Sequence, residues 1–333
     1  MSKIEVTSPF DGRVVGTVLY GSVKEVQTAL DLAQATFLDH KNALPTYKRV
    51  EILENVVKIM SSQIDELTKL CASEGGKPWV DSQVEVHRAI NGVKLAIEAL
   101  GTREGKQIAM GHTASSANRM AYTFKEPIGV VAAISAFNHP LNLAIHQVIP
   151  AIAVGCSVII KPATQTPMSA IRLVEILEEA GLPKGWAQAV VCDREGGELL
   201  ATSAKVNALT FIGSGKVGWY LNSKVAPGTR VALEHGGVAP VIVEADANID
   251  ELIPSIGKGG FYHAGQVCVS VQRVFVHESI VDEVATKLAD YASKLVVGDQ
   301  LDPKTEVGPL INHNEVNRVE EWVNEAVIKG GKI

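Results

Sequence analysis

The chain has 333 residues, room for about two domains at roughly 150 residues each and for a large buried core. Hydrophobic residues at 46% and charged residues at 20% exclude disordered, collagen-like and coiled-coil classes. With 31 basic against 37 acidic residues, a net charge of −6 and no Lys/Arg stripe, a nucleic-acid partner is not expected.

Along the chain, Ser22-x-x-Glu25 is a capping box that opens an amphipathic helix with Val26, Ala29, Leu30, Ala33 and Phe37 on one face. A second helix is expected from about Tyr47 to Gly75-Gly76, and a third from about Val80 to Leu100. Residues 106–125 turn polar and extended, with a hairpin turn expected over 112–118. The first third therefore reads as helical with a protruding ribbon.

From Ile128 the pattern alternates. Apolar runs at 128–135, 157–161, 187–192, 207–212 and 230–234 read as buried strands, with helices near 141–153, 167–180, 195–204 and 215–225. Thr166 is placed at the N-cap of the helix that ends at Gly181, with Pro167 at its first position. Short βα units in series predict an α/β fold, a Rossmann-like parallel sheet with helices on both faces. The stretch from Gly129 to Ile160 has no Asp, Glu, Lys or Arg. Its Asn138, His139, Pro140, Asn142, His146, Gln147 and Pro150 argue for a buried strand–helix–strand unit rather than a membrane span. Beyond Gly236-Gly237, strands are expected at 240–244 and 272–277 and helices at 249–262, 279–297 and 312–329. Two strands are too few to cover three apolar helix faces. The last residues, Gly330 to Ile333, read as the start of a strand.

Gly213-Ser214-Gly215-Lys216-Val217-Gly218 fits G-x-G-x-x-G between a strand and a helix, a setting that suits phosphate at a helix N-terminus or a plain glycine-rich turn. Glu234, 21 residues after Gly213 (213 to 234), is either a ribose ligand or a catalyst. Cys268, among small neighbours in Ala264-Gly-Gln-Val-Cys268, is either a nucleophile or a small apolar side chain. Cys71, Cys156 and Cys192 fall at apolar positions. Widely spaced cysteines without CxxC, and no apolar leader after Met1, predict free thiols and a cytoplasmic protein with no membrane partner. Asn138, after the first strand, suits an oxyanion donor or a helix N-cap. Lys161, closing the second strand, suits a ribose or phosphate contact or plain solvation. His139 and His146 read as local hydrogen-bonders, and no His spacing suggests a metal.

Taken together, several segments resemble the aldehyde dehydrogenase superfamily in type and order. They are Ile134-Ser-Ala-Phe137-Asn138-His-Pro140, Lys161-Pro-Ala, Phe211-Ile-Gly213-Ser214, Leu233-Glu234-His-Gly-Gly237, Gly265-Gln-Val-Cys268 and Val307-Gly-Pro-Leu310. The resemblance implies NAD- or NADP-dependent oxidation of a small aldehyde to a carboxylate, without coenzyme A. It makes Cys268 the nucleophile, Glu234 the general base for thioester hydrolysis, and Asn138 the oxyanion donor. Cofactor contacts fall on Lys161, Gly213, Ser214, Phe137 and Thr164. Thr164 stands where many NAD-preferring relatives carry a ribose-gripping Glu, so NADP is admissible. His139 replaces the usual aromatic and suggests help with a polar or anionic substrate; His235 replaces the usual Leu. The implied layout is a cofactor domain over 1–105 and 126–235, an oligomerisation hairpin over 106–125, and the N-terminal part of a catalytic domain over 236–333. The family runs further, through a Glu-x-Phe-Gly-Pro segment, so the chain reads as short at its C-terminus. The resemblance also implies a homo-oligomer, a dimer or tetramer, for the longer form. Texture is most like lactaldehyde, glyceraldehyde and semialdehyde oxidisers; the competing reading is a dinucleotide-binding fragment without turnover.

Overall fold

The computed structural model describes residues 2–333. It opens on an antiparallel hairpin, β1 (Ser2–Thr7) and β2 (Val14–Tyr20), which the helical reading of the N-terminal third had missed. Ser22 then caps α1 (Val23–Leu38) through the expected capping box with Glu25. The long second helix is two: α2 (Thr46–Ser62) and α3 (Ile64–Gly75) part at Gln63, whose φ of −120° and ψ of 25° leave the helical region. α4 (Trp79–Gly101) follows. A two-stranded ribbon, β3 (Gln107–Ile108) with β4 (Ala121–Tyr122), then projects into solvent, with Phe124 beside it 84% exposed.

The centre is a five-stranded, all-parallel sheet in the order β7-β6-β5-β8-β9, made of β5 (Val130–Ile134), β6 (Val158–Lys161), β7 (Ala187–Ala189), β8 (Val206–Ile212) and β9 (Arg230–Glu234). Its connecting helices are α5 (Pro140–Val154), α6 (Met168–Glu179), α7 (Arg194–Thr202) and α8 (Gly215–Asn222). Successive residues serve opposite faces. Val131, Ala133, Val158 and Ile160 join the core with α2–α6, whereas Val130, Ala132 and Ile159 join the core with α1, α7 and α8. The fold is therefore the expected α/β, Rossmann-like sheet covered on both faces. β7 is shorter than the apolar run 187–192 suggested.

The charge-free stretch is indeed a buried strand–helix–strand unit, and its helix ends are satisfied by distant charged side chains. Glu85 of α4 accepts from the amides of Leu141 and Asn142 at 3.0 Å each, while Arg49 Nε of α2 donates to Ala153 O at 2.9 Å. α6 is also capped from another helix, by a carboxyl that burial keeps protonated up to about pH 7. Its N-cap is Pro167, not Thr166, and no side chain of its own caps it. Glu74 of α3 accepts from the amides of Met168 at 2.8 Å and Ser169 at 2.9 Å, and Thr166 turns instead to the carbonyl of Phe137 at 3.4 Å.

Beyond β9, parallel strands β10 (Pro240–Val243) and β11 (Arg273–Val276) pack with α9 (Ile249–Phe261) and α10 (Val281–Ser293) around Ile253, Ile256 and Val284. α11 (His313–Ile328) buries none of its side chains, so the two strands do leave one apolar helix face uncovered. Residues 331–333 form no strand, contrary to the expectation for the last residues. Among the described residues no helix is long and apolar enough to cross a membrane, and no group of three or more His, Cys, Asp or Glu side chains could hold a metal.

Candidate active site at the carboxyl ends of the sheet

Strand register brings the sequence-predicted residues to one edge. Ile134 pairs with both Lys161 and Phe211, and Ile212 pairs with Glu234. Phe137 and Asn138 follow β5, Lys161 closes β6, Gly213 and Ser214 follow β8, and Glu234 closes β9. All lie where the strands of an open parallel sheet present their carboxyl ends. The amide of Gly213 donates to Glu234 O at 3.0 Å, which ties the glycine loop to β9.

The glycine loop is shaped for close approach. A Cβ on Gly213 would lie 2.7 Å from Phe211 Cζ, so a larger residue there would have to displace that ring. The first intrahelical bond of α8 runs from Gly218 N to Ser214 O at 3.0 Å, so the amides of Gly215 and Lys216 precede the helical ladder at its positive end. Lys161 lies half-buried with its stem against Gly197 of α7, and burial pushes its ammonium pKa down. Thr164 is exposed beside it, and Phe137 is half-buried. This cradle, with a cation and a helix start at one rim, fits a dinucleotide pyrophosphate and ribose.

His235 points back under α8. Its ring meets Trp219 edge-on at 5.6 Å and Phe211 at 6.3 Å, and a Cβ on Gly218 would lie 2.2 Å from its Nε2. Gly218→Ala should therefore destabilise the protein by about 1–3 kcal/mol as the wedged ring is displaced. A urea midpoint unchanged from the parent would remove that reading.

Cys268 is exposed in a turn after a 3-10 segment, Tyr262–Gly265, in which His263 and Ala264 hold positive φ values of 48° and 54° ahead of Gly265 at 75°. That run kinks the chain at a backbone cost that packing must offset. Two contacts bring the turn to the sheet edge. Asn138 Nδ2 donates to Gln266 O at 2.8 Å, and a Cβ on Gly237 would lie 3.0 Å from Cys268 O. The N-cap alternative for Asn138 is thereby overturned: the N-cap position is His139, and Glu85 does the capping.

His139 is a correction of another kind. It is buried and bonded through Nε2 to the Tyr262 hydroxyl at 3.0 Å, and burial beside Lys77 pushes its pKa down to about 2. A neutral, enclosed imidazole does not offer a cation to an anionic substrate.

Sequence reasoning missed Lys77, Glu85 and the role of Gln266. Gln266 Oε1 accepts from Ile311 N at 2.9 Å and Nε2 donates to Pro309 O at 3.3 Å, joining the cysteine turn to the Val307–Leu310 segment. That both segments stood in one set of motifs was the available signal.

With this geometry in place, the comparisons with known proteins decide the family. The chain matches the aldehyde dehydrogenase family over residues 1–333. It belongs to that family. It is 40% identical over 332 residues to a 3-sulfolactaldehyde dehydrogenase of Priestia aryabhattai, covering 99% of this chain and 69% of that protein. A lactaldehyde dehydrogenase of Methanocaldococcus jannaschii is 37% identical, covering 99% of this chain and 71% of the relative. Among solved structures, a glyceraldehyde-3-phosphate dehydrogenase of the same organism complexed with NADP superposes with a TM-score of 0.93 at 37% identity, over 99% of this chain and 72% of that one. Family membership makes NAD(P) the cofactor class and aldehydes the substrate class.

Proposed function

We propose that the chain oxidises a small aldehyde to its carboxylate through a covalent thioester on Cys268. The observation that carries this is the Asn138–Gln266 hydrogen bond, which sets a side-chain amide beside the cysteine turn while the Glu234–Gly237 segment packs on the same turn. Cys268 as thiolate attacks the carbonyl carbon and forms a hemithioacetal. The second N–H of the Asn138 amide and the Cys268 backbone N–H hold the developing oxyanion. Gly213, Ser214, Lys161, Phe137 and Thr164 would hold the dinucleotide, whose nicotinamide, when bound, accepts the hydride released as the hemithioacetal becomes a thioester. Glu234 then takes a proton from water, whose hydroxide displaces the thiolate and yields the carboxylate. Thr164 in place of an acidic side chain leaves room for a 2′-phosphate, so both NAD and NADP are admitted.

The substrate proposed is of the lactaldehyde, glyceraldehyde or semialdehyde type, the first two in keeping with the names of the relatives above. In the same reading residues 1–105 and 126–235 bind the cofactor, 236–333 contribute the nucleophile, and the ribbon at 106–125 meets another copy. The exposure of Met120 (79%) and Phe124 (84%) supports that last role.

Glu234→Gln decides between turnover and a cofactor-binding fragment. With NADP or NAD and lactaldehyde it should give one burst of reduced cofactor, then a steady rate lower by about 10²–10⁴. Peptide mapping should find the acyl mass on Cys268. Absence of aldehyde-dependent reduction in the parent chain, or an unchanged steady rate in the variant, would overturn the proposal.

A further inference from the structure

Behind the Asn138 turn lie two ionisable side chains that no reaction step uses. Lys77 and Glu85 form an ion pair with side chains 1% and 0% exposed. Lys77 Nζ also donates to Asn138 O at 3.0 Å. Glu85 turns its other carboxylate oxygen, Oε1, to the amides of Leu141 and Asn142 at 3.0 Å each. One pair thus holds a carbonyl at one end of the turn and two amides at the other. Stability alone is a poor account of it, because a buried pair can often be exchanged for apolar side chains at little cost.

The consequence falls on the Asn138 side chain. An amide nitrogen carries two hydrogens, and Gln266 O takes one at 2.8 Å. Gln266 is itself anchored by Ile311 N and Pro309 O. With that end fixed, the direction of the second hydrogen is set by where the Asn138 backbone stands, which Lys77 and Glu85 determine.

We propose that Lys77 and Glu85 are positioning residues that aim the free N–H of Asn138 at the oxyanion formed on the Cys268 adduct. This rests on the thiol reading above and adds to it a part of the molecule remote from the reacting atoms. A neutral acceptor at 85 would still bond the α5 amides, while the ammonium at 77 bonds both Glu85 and the Asn138 carbonyl.

The test is a cycle of variants that keeps charge balanced. Lys77→Met/Glu85→Gln removes both charges and retains an acceptor for the α5 amides. It should slow the burst of reduced cofactor by about 10- to 100-fold, the range for a misplaced oxyanion donor. Asn138→Ala should slow it comparably, and the triple variant should be no slower than Asn138→Ala alone, since residues acting through one group do not add. The side-chain amide resonance of Asn138, identified by its loss in Asn138→Ala, should also move in the pair variant. Lys77→Leu/Glu85→Gln, which also keeps the charge balanced, replaces the pair variant if that one does not fold.

Losses that multiply in the triple variant, or an unchanged burst with an unmoved Asn138 resonance, would overturn the positioning role. A parental rate in Asn138→Ala would instead sink the oxyanion reading. Should the parent show no aldehyde-dependent reduction of the cofactor at all, the thiol reading fails and the resonance alone decides the positioning claim.

Discussion

Replacing Glu85 by alanine should cost the fold about 3–5 kcal/mol of unfolding free energy, a large part of the 5–15 kcal/mol that holds a typical domain. Three losses coincide. The Lys77 ammonium is left inside the protein without its counter-charge, and the amides of Leu141 and Asn142 lose their acceptor. Helix α5, which that carboxylate caps, is the most deeply packed helix, with Leu141, Ala144, Ile145, Val148, Ile149 and Ile152 all essentially inaccessible. An orphaned buried amide has no water to turn to, so the penalty is not softened as at a surface cap. Glu85→Gln should cost less, because its amide oxygen still accepts from α5. Urea unfolding of both variants checks this. A Glu85→Ala midpoint within 1 kcal/mol of the parent, on the order of an exposed cap, would show that the carboxylate is not the support described.

How far such supports were readable differs with the kind of signal. The sheet and its site were legible because burial on both faces writes continuous apolar runs, and because Asn138, Lys161, Gly213 and Glu234 stand just at or after the ends of those runs. The Ser22 capping box was legible because both partners lie within one turn. Glu85, Glu74 and Arg49 were not. Each sits on an amphipathic helix where a charged residue reads as facing solvent, and the helix end it serves lies far away in sequence: Arg49 bonds Ala153 across 104 positions, and Glu74 bonds Ser169 across 95. Local pattern carries no trace of such a partner. The β1–β2 hairpin is a different miss. Ile4 and Val6 alternate with polar neighbours ahead of Asp11-Gly12, and Val18 returns to pack beside Val6, so the period-2 signal was there. The break at Gln63 has no proline or glycine to announce it. Small neighbours singled out Cys268 and the family resemblance gave it a role, but the left-handed run at His263 and Ala264 ahead of it was not foreseen, since positive φ is uncommon outside glycine.

Acid should weaken the protein as pH falls through about 6.5, the ordinary histidine value, and two single variants should change the slope in opposite directions. His139 faces Lys77, Arg88 and His146, and burial holds its pKa down to about 2; His263, facing Lys77 and His139, is pushed well below its usual value for the same reason. Both are neutral in the native protein but titrate near 6.5 when unfolded. Their contribution is therefore present above pH 6.5 and is lost as pH falls, by about 1.4 kcal/mol per pH unit for each. His146, exposed on α5 but shifted down by partial desolvation and Arg88, acts in the same sense. Glu74 acts in the other. Burial, with Glu85 nearby, pushes its carboxyl up to about 7, so the native protein keeps a proton that the unfolded chain releases near its ordinary 4.5. Its contribution is present at low pH and lost as pH rises toward 7. Between about pH 5 and 6.5 the two histidines outnumber the single carboxyl, and stability falls with acid. His139→Gln should flatten the profile by about 1.4 kcal/mol per pH unit, and Glu74→Gln, which still accepts from Met168 and Ser169, should steepen it by as much. Urea midpoints at half-unit pH steps measure all three profiles. Parallel lines would mean that these groups titrate alike in both states, and that α6 and the cysteine turn are not held by neutral side chains as the structure places them.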